Sequence, residues 1–320
     1  TKVAEIAALL EEKHQRLGFD PADWGPLLGA EADAATIGGV LSADTNGAAS
    51  VRYGRARDSL LGFRAVNGLG EAYKAGGKVV KNVTGFDLPK LMCGAMGTLG
   101  VLTEVTLRVF PKPPRTAILS VRDLTPEDGL ALLRRVWQSP LEATGLSYIP
   151  ASVPLPQLGY VGEGVALIRL EGAREPLKEK IAALQVLAPN AQDIDVPDIF
   201  AAIADGALFI GQDCDVWRVF VPPSATATVI CEMQSPLFAA DNAGGILWIG
   251  LEAGGNGAAL RALCEKLGGH ATLVRASEET RARIAPVTQE DPARRALTKS
   301  VKAAFDPQGL FNPGRMWKTL

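Results

Sequence analysis

The sequence predicts an α+β protein with two domains and a C-terminal segment that returns to the first. Its 320 residues are enough for two domains of ordinary size. Pro111, Pro113 and Pro114 cannot continue a β-ladder, so we expect the domain boundary there. Beyond them, strand and helix patterns alternate, which is typical of an antiparallel sheet with helices packed on one side. The predicted units are residues 1–110, 115–290 and 291–320.

The elements of the first unit follow from local patterns. Helical spacing with a stop at Gly18 predicts a helix over 3–17, which carries His14 on a solvated face. Thr36 is the predicted N-cap of a short helix, and Asn67-Gly68 is the predicted turn of a hairpin. The remaining predicted elements are hairpin strands over 60–67 and 71–74, a strand over 78–83, a helix over 87–93 and a strand over 100–109.

The elements of the second unit follow in the same way. Alternating apolar positions predict strands over 116–122, 165–170, 216–221, 246–251 and 273–274. Helices are predicted from Thr125, over 175–187 and after each of the strands 216–221 and 246–251. A last helix over 292–304 leads into the C-terminal tail. The uncharged run 143–162 contains three prolines, so we expect irregular structure there and no membrane span.

The composition excludes several classes of function. The 33 basic and 35 acidic residues give a net charge of −2, so no general attraction to nucleic acid or an anionic membrane is expected. The first apolar stretch is interrupted by Glu5, which argues against a signal peptide and predicts a cytoplasmic protein. The 4 cysteines form no CxxC motif, so we expect buried reduced thiols and neither an iron–sulfur cluster nor a metal site.

Glycine is concentrated in residues 25–100, which hold 15 of the 34 glycines. Because glycine in regular structure loses backbone entropy, close approach of main chain to a ligand is the leading explanation. Gly38 and Gly39 follow the predicted cap, and a second tight turn over 94–100 precedes the long strand. Two such turns could close on a flat dinucleotide, although neither the GxGxxG nor the GxxxxGK[ST] motif is present.

At these positions the sequence resembles the FAD-binding domain of the vanillyl-alcohol-oxidase and p-cresol-methylhydroxylase (PCMH) type of flavoprotein. The residues that carry the resemblance are Thr36-Ile37-Gly38-Gly39, Asn46-Gly47, Tyr53-Gly54-Arg55, Asp58 and 97–104. The closing segment 305–315 resembles the C-terminal signature of the same group. The run 78–88 is similar to FAD-binding subunits of bacterial glycolate oxidase complexes. The resemblance covers about residues 18–114 and the last 20 residues.

The resemblance implies FAD as cofactor and assigns roles to particular residues. The pyrophosphate and the ribityl chain would lie against the backbone of Thr36, Ile37, Gly38 and Gly39. The segment that passes the flavin would contain Ala43, Thr45, Asn46 and Gly47. The turn along the adenine and the ring edge would contain Gly97, Thr98, Gly100 and Val101, and Asn312 would lie near the isoalloxazine. Family members also carry an N-terminal subdomain before the equivalent of Thr1, so we expect either that this chain is a fragment or that its FAD site is incomplete.

The sequence assigns no catalytic residue. Oxidation of a 2-hydroxy acid needs a base for the hydroxyl proton, commonly a histidine, and this chain has only His14 and His270. His270 follows two glycines at the edge of a strand, and nothing singles out a tyrosine or lysine instead. Arg52, Arg55 and Arg57 are available as carboxylate clamps beside the proposed flavin loop, although solvation or pairing with Asp58 is the more ordinary expectation. As strand residues, Arg169 and Arg218 are expected to be exposed.

Three functions remain open from the sequence. The first is an accessory FAD subunit of a glycolate-oxidising complex, in which a related larger flavin subunit oxidises the substrate and an iron–sulfur subunit removes electrons. Such a complex could attach the protein to the inner membrane peripherally. The second is an independent FAD-linked oxidase or dehydrogenase of a 2-hydroxy acid. The third is a structural subunit without flavin.

Overall fold

The computed structural model describes residues 1–78, 85–153, 164–287 and 291–317. The α-helices are α1 (Val3–Glu11), α2 (Ile37–Ala43), α3 (Ser50–Tyr53), α4 (Ala56–Ser59), α5 (Leu88–Met92), α6 (Pro126–Gln138), α7 (Arg174–Leu187), α8 (Ile199–Ala204), α9 (Thr226–Met233), α10 (Gly257–Lys266), α11 (Glu278–Arg283) and α12 (Pro292–Phe305). The strands are β1 (Gln15–Leu17), β2 (Leu60–Val66), β3 (Ala72–Gly76), β4 (Val101–Leu107), β5 (Val109–Pro111), β6 (Arg115–Leu124), β7 (Gly145–Ile149), β8 (Gly164–Gly172), β9 (Gln192–Asp193), β10 (Asp215–Phe220), β11 (Phe238–Asp241), β12 (Ile246–Leu251) and β13 (His270–Arg275).

An antiparallel sheet of eight strands dominates the second half of the chain, in the order β13-β10-β12-β11-β7-β8-β6-β9. Alternate residues of a strand point to opposite faces. On one face Trp217 and Val219 pack with helices α6, α7, α9 and α10 in the largest apolar cluster. This layer of sheet and helices confirms the predicted α+β fold.

The other face of the sheet is covered by the beginning of the chain. Val216 and Trp248 point to this face and pack with Leu27, Ala48 and helix α8. Trp24 packs edge-on against Trp248 with ring centroids 5.5 Å apart. The segment around residues 20–50 and the large sheet therefore enclose a second apolar layer, and the candidate site lies along it.

The first half forms two smaller sheets, the pair β1-β5 and the three-stranded sheet β3-β2-β4. Several predictions here are confirmed. The Thr36 hydroxyl accepts a hydrogen bond from the backbone N–H of Gly39 and caps α2, while the Asp87 carboxylate accepts one from Lys90 and caps α5. The hairpin around Asn67-Gly68 is formed by β2 and β3.

The predicted helix over 3–17 is wrong beyond Glu11. The chain turns at His14, whose φ is 53°, and residues Gln15–Leu17 form β1 against β5. Leu17 becomes buried by this pairing, so its apolar character satisfied a strand as well as a helix. His14 therefore lies in a turn and not on a helical face.

The prediction of irregular structure over 143–162 is wrong for its first part, where β7 lies between β11 and β8. All five residues of β7 are buried, so the alternation that identifies a half-exposed strand is absent. β11 and α8 were also not predicted. The predicted strand 78–83 lies outside the described residues except for Lys78. The proposed domain boundaries stay predictions.

Candidate functional site

A cavity of about 280 Å³ lies between α2 and the edge strand β13. Its walls come from the α2 region, from the Trp24 loop, from β13 and from five residues elsewhere in the chain, Met96, Arg281, Pro286, Val287 and Arg315. The wall residues that the sequence had assigned to the flavin site are Thr36, Gly39, Ala43 and Thr45. A Cβ on Gly38 would meet no atom within 4 Å, so the main chain there is open to a close neighbour.

Two other residues of this segment have structural contacts and are not among those lining the cavity. Asn46 is 2% exposed, and its side-chain oxygen accepts a hydrogen bond from the backbone N–H of Ala56 at 2.5 Å. A Cβ on Gly47 would lie 2.8 Å from the carbonyl oxygen of Asp20, so only glycine fits there. Ile37 is buried in the apolar cluster of the first half. These residues fix the loop that carries Ala43 and Thr45.

The two glycine-rich segments contact each other directly, while their closure on a dinucleotide stays a prediction. The backbone N–H of Met96 donates to the carbonyl oxygen of Ser42 at 2.7 Å, and that of Gly94 donates to Leu41 at 2.9 Å. Met96 adopts a left-handed backbone with φ of 51° and lines the cavity. The end of α2 and the turn over 94–100 therefore share one wall.

The C-terminal tail returns to the same turn. The Asn312 side-chain amide donates to the carbonyl oxygen of Met96 at 2.8 Å, and a Cβ on Gly97 would lie 2.8 Å from that amide nitrogen. The Lys302 ammonium donates to the carbonyl oxygen of Thr98 at 2.7 Å. Thr98 lines a separate cavity of about 310 Å³ beneath α12.

Gly100 and Val101 lie beyond the turn. A Cβ on Gly100 would meet the Val66 carbonyl oxygen at 2.8 Å, and Val101 is 52% exposed at the start of β4. Neither residue is among those lining the first cavity. The individual flavin-binding roles of all the residues singled out in the sequence stay predictions.

A buried arginine lies beside the first cavity, at a position where the sequence favoured an exposed side chain. Arg218 on β10 is 4% exposed, and its guanidinium carbon lies 5.4 Å, 5.0 Å and 5.6 Å from the ring centroids of Trp24, Phe220 and Trp248. No described residue accepts a hydrogen bond from it or forms an ion pair with it, and its buried Nε has no partner. Burial, together with the charge of Arg55, lowers the pKa of Arg218 to about 10.

Two further basic side chains contact Phe220. The Arg55 guanidinium lies 4.9 Å from the Phe220 centroid and forms an ion pair with Asp44 at 2.7 Å. His270 stacks on the same ring at 4.9 Å. Burial of one face of the imidazole and the charges of Arg55 and Arg218 lower the pKa of His270, which favours the neutral ring.

The predicted exposure of Arg169 and Arg218 is wrong. The Arg169 guanidinium pairs with Asp20 at 2.6 Å and also donates to the Thr144 carbonyl oxygen at 2.8 Å. Alternation along a strand suggests a solvated face, but residues 20–50 cover this face. The signal that could have shown it is the apolar run 216–221, in which residues on both sides of Arg218 are suited to burial.

The described residues contain no group of three or more His, Cys, Asp and Glu side chains that could hold a metal ion. All four cysteines are free, and Cys231 is exposed, contrary to the prediction of buried thiols. The Cys93 thiol donates to the Asp44 carboxylate at 3.6 Å, and burial next to that charge raises the pKa of Cys93. Within the described part of the chain no helix is long and apolar enough to cross a bilayer.

Comparison with known proteins shows which proteins the whole chain resembles. No protein-family model matches the sequence. The glycolate oxidase subunit GlcE of Escherichia coli (strain K12) is 29% identical over 100% of this chain and 81% of that protein. The D-lactate dehydrogenase of Archaeoglobus fulgidus is 24% identical over 90% of this chain and 71% of that protein. The glycolate oxidase subunit GlcD of Bacillus subtilis (strain 168) is 40% identical over 24% of this chain and 17% of that protein.

Solved structures give the fold. Alkyldihydroxyacetonephosphate synthase superposes with a TM-score of 0.62 and 16% identity, over 97% of this chain and 62% of that protein. The chain thus spans less than two thirds of that synthase, and at this identity the likeness speaks for the fold alone. The chain is similar to GlcE along its whole length, its relatives are FAD-linked oxidoreductases of the glycolate oxidase and D-lactate dehydrogenase type, and it has the PCMH-type fold.

Proposed function

We propose that this chain is the FAD-binding subunit of a complex that oxidises a small 2-hydroxy acid, with glycolate as the first candidate, to the 2-oxo acid. The observation that carries the proposal is the similarity to GlcE along the whole chain, combined with a cavity walled by the predicted flavin segments. The similarity to a D-lactate dehydrogenase supports the same class of substrate.

The residues of the cavity fit part of FAD. A volume of about 280 Å³ is at the lower end for ligand pockets, so it suits a ring system rather than the whole dinucleotide. The cavity-lining Gly39 allows close approach of main chain. When bound, FAD would accept the hydride from the substrate carbon.

The residues of this chain would mainly bind and orient the cofactor and would contribute little to the chemical step. Thr36, Gly39 and Ala43 would face the cofactor, and the Trp24 ring would close one side of the cavity from water. The sequence contains two histidines, and among the described residues His270 stacks on Phe220 and pairs with no carboxylate that would orient it as a base. We therefore assign substrate oxidation mainly to a related, larger flavin subunit, and assembly and electron relay to this chain.

The partners follow from the names of the relatives. GlcE and GlcD are named as subunits of glycolate oxidase, which supports a complex with at least one related subunit. An iron–sulfur subunit would be needed to carry electrons onward, because the cysteines of this chain provide no cluster site. Its presence, and a cytoplasmic location with peripheral attachment to the inner membrane through the complex, stay predictions.

One experiment separates this proposal from its alternatives. The protein is purified with the subunits that accompany it, and its visible spectrum and FAD content are measured before and after anaerobic addition of glycolate. We expect stoichiometric FAD on this chain and bleaching that depends on the partner. Bleaching in the isolated chain would instead establish an independent dehydrogenase, the alternative that the D-lactate dehydrogenase relative favours. A chain without flavin inside an active complex would establish a structural subunit and contradict the proposal.

A further inference from the structure

The cavity of about 310 Å³ beneath α12 reaches the surface of the molecule. It lies between α5, the turn over 94–100 and α12, and most of its lining side chains are apolar. Leu91 and Leu297 line it, yet they are 37% and 66% exposed, so both stand at its mouth. All residues of α12 are described, and none of them is buried. Apolar surface left open to water in this way commonly marks an interaction site.

The indole of Trp317 is a polar group of this cavity that has no partner among the described residues. Its Nε1 is buried, although a buried indole N–H normally finds an acceptor. Other polar groups of the lining are paired within the chain. The Thr98 hydroxyl donates to the Ala95 carbonyl oxygen at 2.7 Å, and the Lys302 ammonium donates to the Asp306 carboxylate at 2.6 Å. The cavity therefore favours an occupant that brings apolar surface together with an oxygen acceptor.

The surface of α12 is positively charged, since the helix contains basic residues and no acidic ones. Lys302 pairs with Asp306 at 2.6 Å, and Arg294 pairs with Asp291 at 3.8 Å. The other two basic residues of the helix form no ion pair with any residue that the structure describes. These two residues are Arg295 and Lys299. An acidic partner would therefore be attracted to this helix.

The cavity beneath α12 and the candidate cofactor cavity lie on two sides of the same turn. Met96 lines the cofactor cavity, whereas Ala95 and Thr98 line the cavity beneath α12. A protein bound at α12 would thus be separated from the candidate flavin site by one turn of backbone. Such a position suits a partner that exchanges electrons with that site.

We propose that α12 and the cavity beneath it form the docking surface for the larger flavin subunit of the complex. This inference rests on the proposed function and names the surface at which its partner binds. An acidic segment of the partner inserts a large apolar side chain between Leu91 and Leu297, in the manner of an interface anchor that fills a pocket. Its carboxylates face Arg295 and Lys299, and one of its oxygens accepts the hydrogen bond from Trp317.

A membrane surface fits this region less well. Basic helices with exposed leucines do bind anionic bilayers, but they lay a continuous apolar face into the interface. The apolar side chains Val301 and Phe305 of α12 instead pack inward against the three-stranded sheet and the turn. The concave cavity beside them needs a side chain to fill it, which a protein partner supplies.

Two matched pairs of substitutions test the surface. Leu297→Ala removes the exposed anchor, and Leu9→Ala is its control, because Leu9 is 62% exposed on α1 and lines neither of the two cavities. Lys299→Glu reverses a charge of α12, and Lys266→Glu does the same at the end of α10. Trp317→Phe removes the indole N–H alone. Each full-length variant is titrated with the purified larger flavin subunit, and the dissociation constant is measured at low and high ionic strength.

We expect L297A and K299E each to weaken binding of the larger subunit by about 10-fold, W317F to weaken it severalfold, and L9A and K266E to leave it unchanged. The effect of K299E should shrink at high ionic strength, because salt screens exposed charges. The thermal unfolding temperature of each isolated variant separates a loss of docking from a loss of folding. If L297A does not fold, the pair K299E and K266E decides. Equal affinities of variant and control would overturn the inference.

Sedimentation with vesicles of phosphatidylglycerol and phosphatidylethanolamine tests the membrane instead. If L297A and K299E reduce vesicle binding but leave the affinity for the larger subunit unchanged, the surface belongs to the membrane and the inference is overturned.

The FAD content of the wild-type protein distinguishes the two proposals. If flavin is absent from this chain but the larger subunit binds through α12, the proposed function fails while the docking surface stands. If flavin is present and bleaches with the partner, but the substitutions on α12 leave binding unchanged, only the docking surface fails. If no larger flavin subunit accompanies the chain, both fail.

Discussion

The guanidinium of Arg16 and the carboxylate of Glu171 meet at two points, with Nη1–Oε1 and Nη2–Oε2 distances of 2.7 and 2.6 Å. Glu171 is buried and lies 3.7 Å from the Arg169 Nε as well. Since Arg16 belongs to β1 and Glu171 to β8, one carboxylate joins the beginning of the chain to the large sheet.

Substitution Glu171→Gln should therefore destabilise the protein. The loss leaves Arg16 and Arg169 without their shared counter-charge, and we expect the free energy of unfolding to fall by about 3 kcal/mol. Chemical denaturation measures this change in the free energy of unfolding. Glu104→Gln is the control, because its pair with Arg64 is largely exposed, and it should change stability by less than about 1 kcal/mol. Equal effects of the two substitutions would contradict this role.

The neighbouring glycines of α2 give a matched pair of substitutions for the cofactor site. Gly38→Ala adds a methyl group that meets nothing, while Gly39→Ala adds one to a cavity-lining residue, 3.3 Å from the Thr36 hydroxyl. We expect G39A to lower the FAD content of purified protein severalfold and G38A to leave it unchanged. G38A should also raise stability by about 0.5–1 kcal/mol, because alanine favours helix. If both variants contain the same amount of FAD, the assignment of this cavity as the flavin site is wrong.

His270 reports on the charge of Arg218. Cationic neighbours disfavour protonation of the imidazole, so removal of one of them should raise its pKa. NMR titration of the wild type and R218M measures this shift, and the only other histidine signal, that of His14, is identified with His14→Gln. A pKa of His270 that does not move in R218M would show that Arg218 lies too far away or is neutral.

The C-terminal tail should loosen in acid. Burial raises the pKa of Asp306, but hydrogen bonds from Lys302 and from the backbone N–H groups of Phe311 and Leu310 outweigh it, so the net pKa is lowered. Because the folded pKa is depressed, this stabilisation is present above the unfolded value of about 3.9 and is lost as pH falls through the folded pKa.

Thermal unfolding of the wild type and Asp306→Asn between about pH 2 and 6 tests this dependence. D306N should be less stable than the wild type at pH 6, and the difference should shrink as the pH falls. Proteolysis of the tail should follow the same course. A difference that stays constant across this range would assign the stabilisation to packing rather than to the carboxylate.

The sequence predicted those parts of the fold whose cause is local. The cap at Thr36, the turn at Asn67-Gly68 and the half-exposed strands depend on nearby residues, so they could be identified without tertiary information. β7 could not, because burial on both faces removes the alternation that marks a strand. The turn at His14 was hidden because Leu17 suits a helix and a paired strand equally.

One part of the candidate site was likewise predictable from local sequence, and another part was not. The glycine-rich segments were identifiable because short motifs with fixed spacing carried them, and the cavity brings Thr36, Gly39, Ala43 and Thr45 to one wall. The burial of Arg218 was only partly identifiable: the apolar run 216–221 suggests it, but the cover comes from Trp24, which is distant in sequence. Only the packing of the two halves buries this strand arginine.

The cage around Arg218 takes one ring from the first layer, Trp24, and two from the sheet, Phe220 and Trp248. The environment of this buried charge therefore depends on both halves of the molecule, so a change in their relative orientation would expose the guanidinium to water and change its protonation equilibrium.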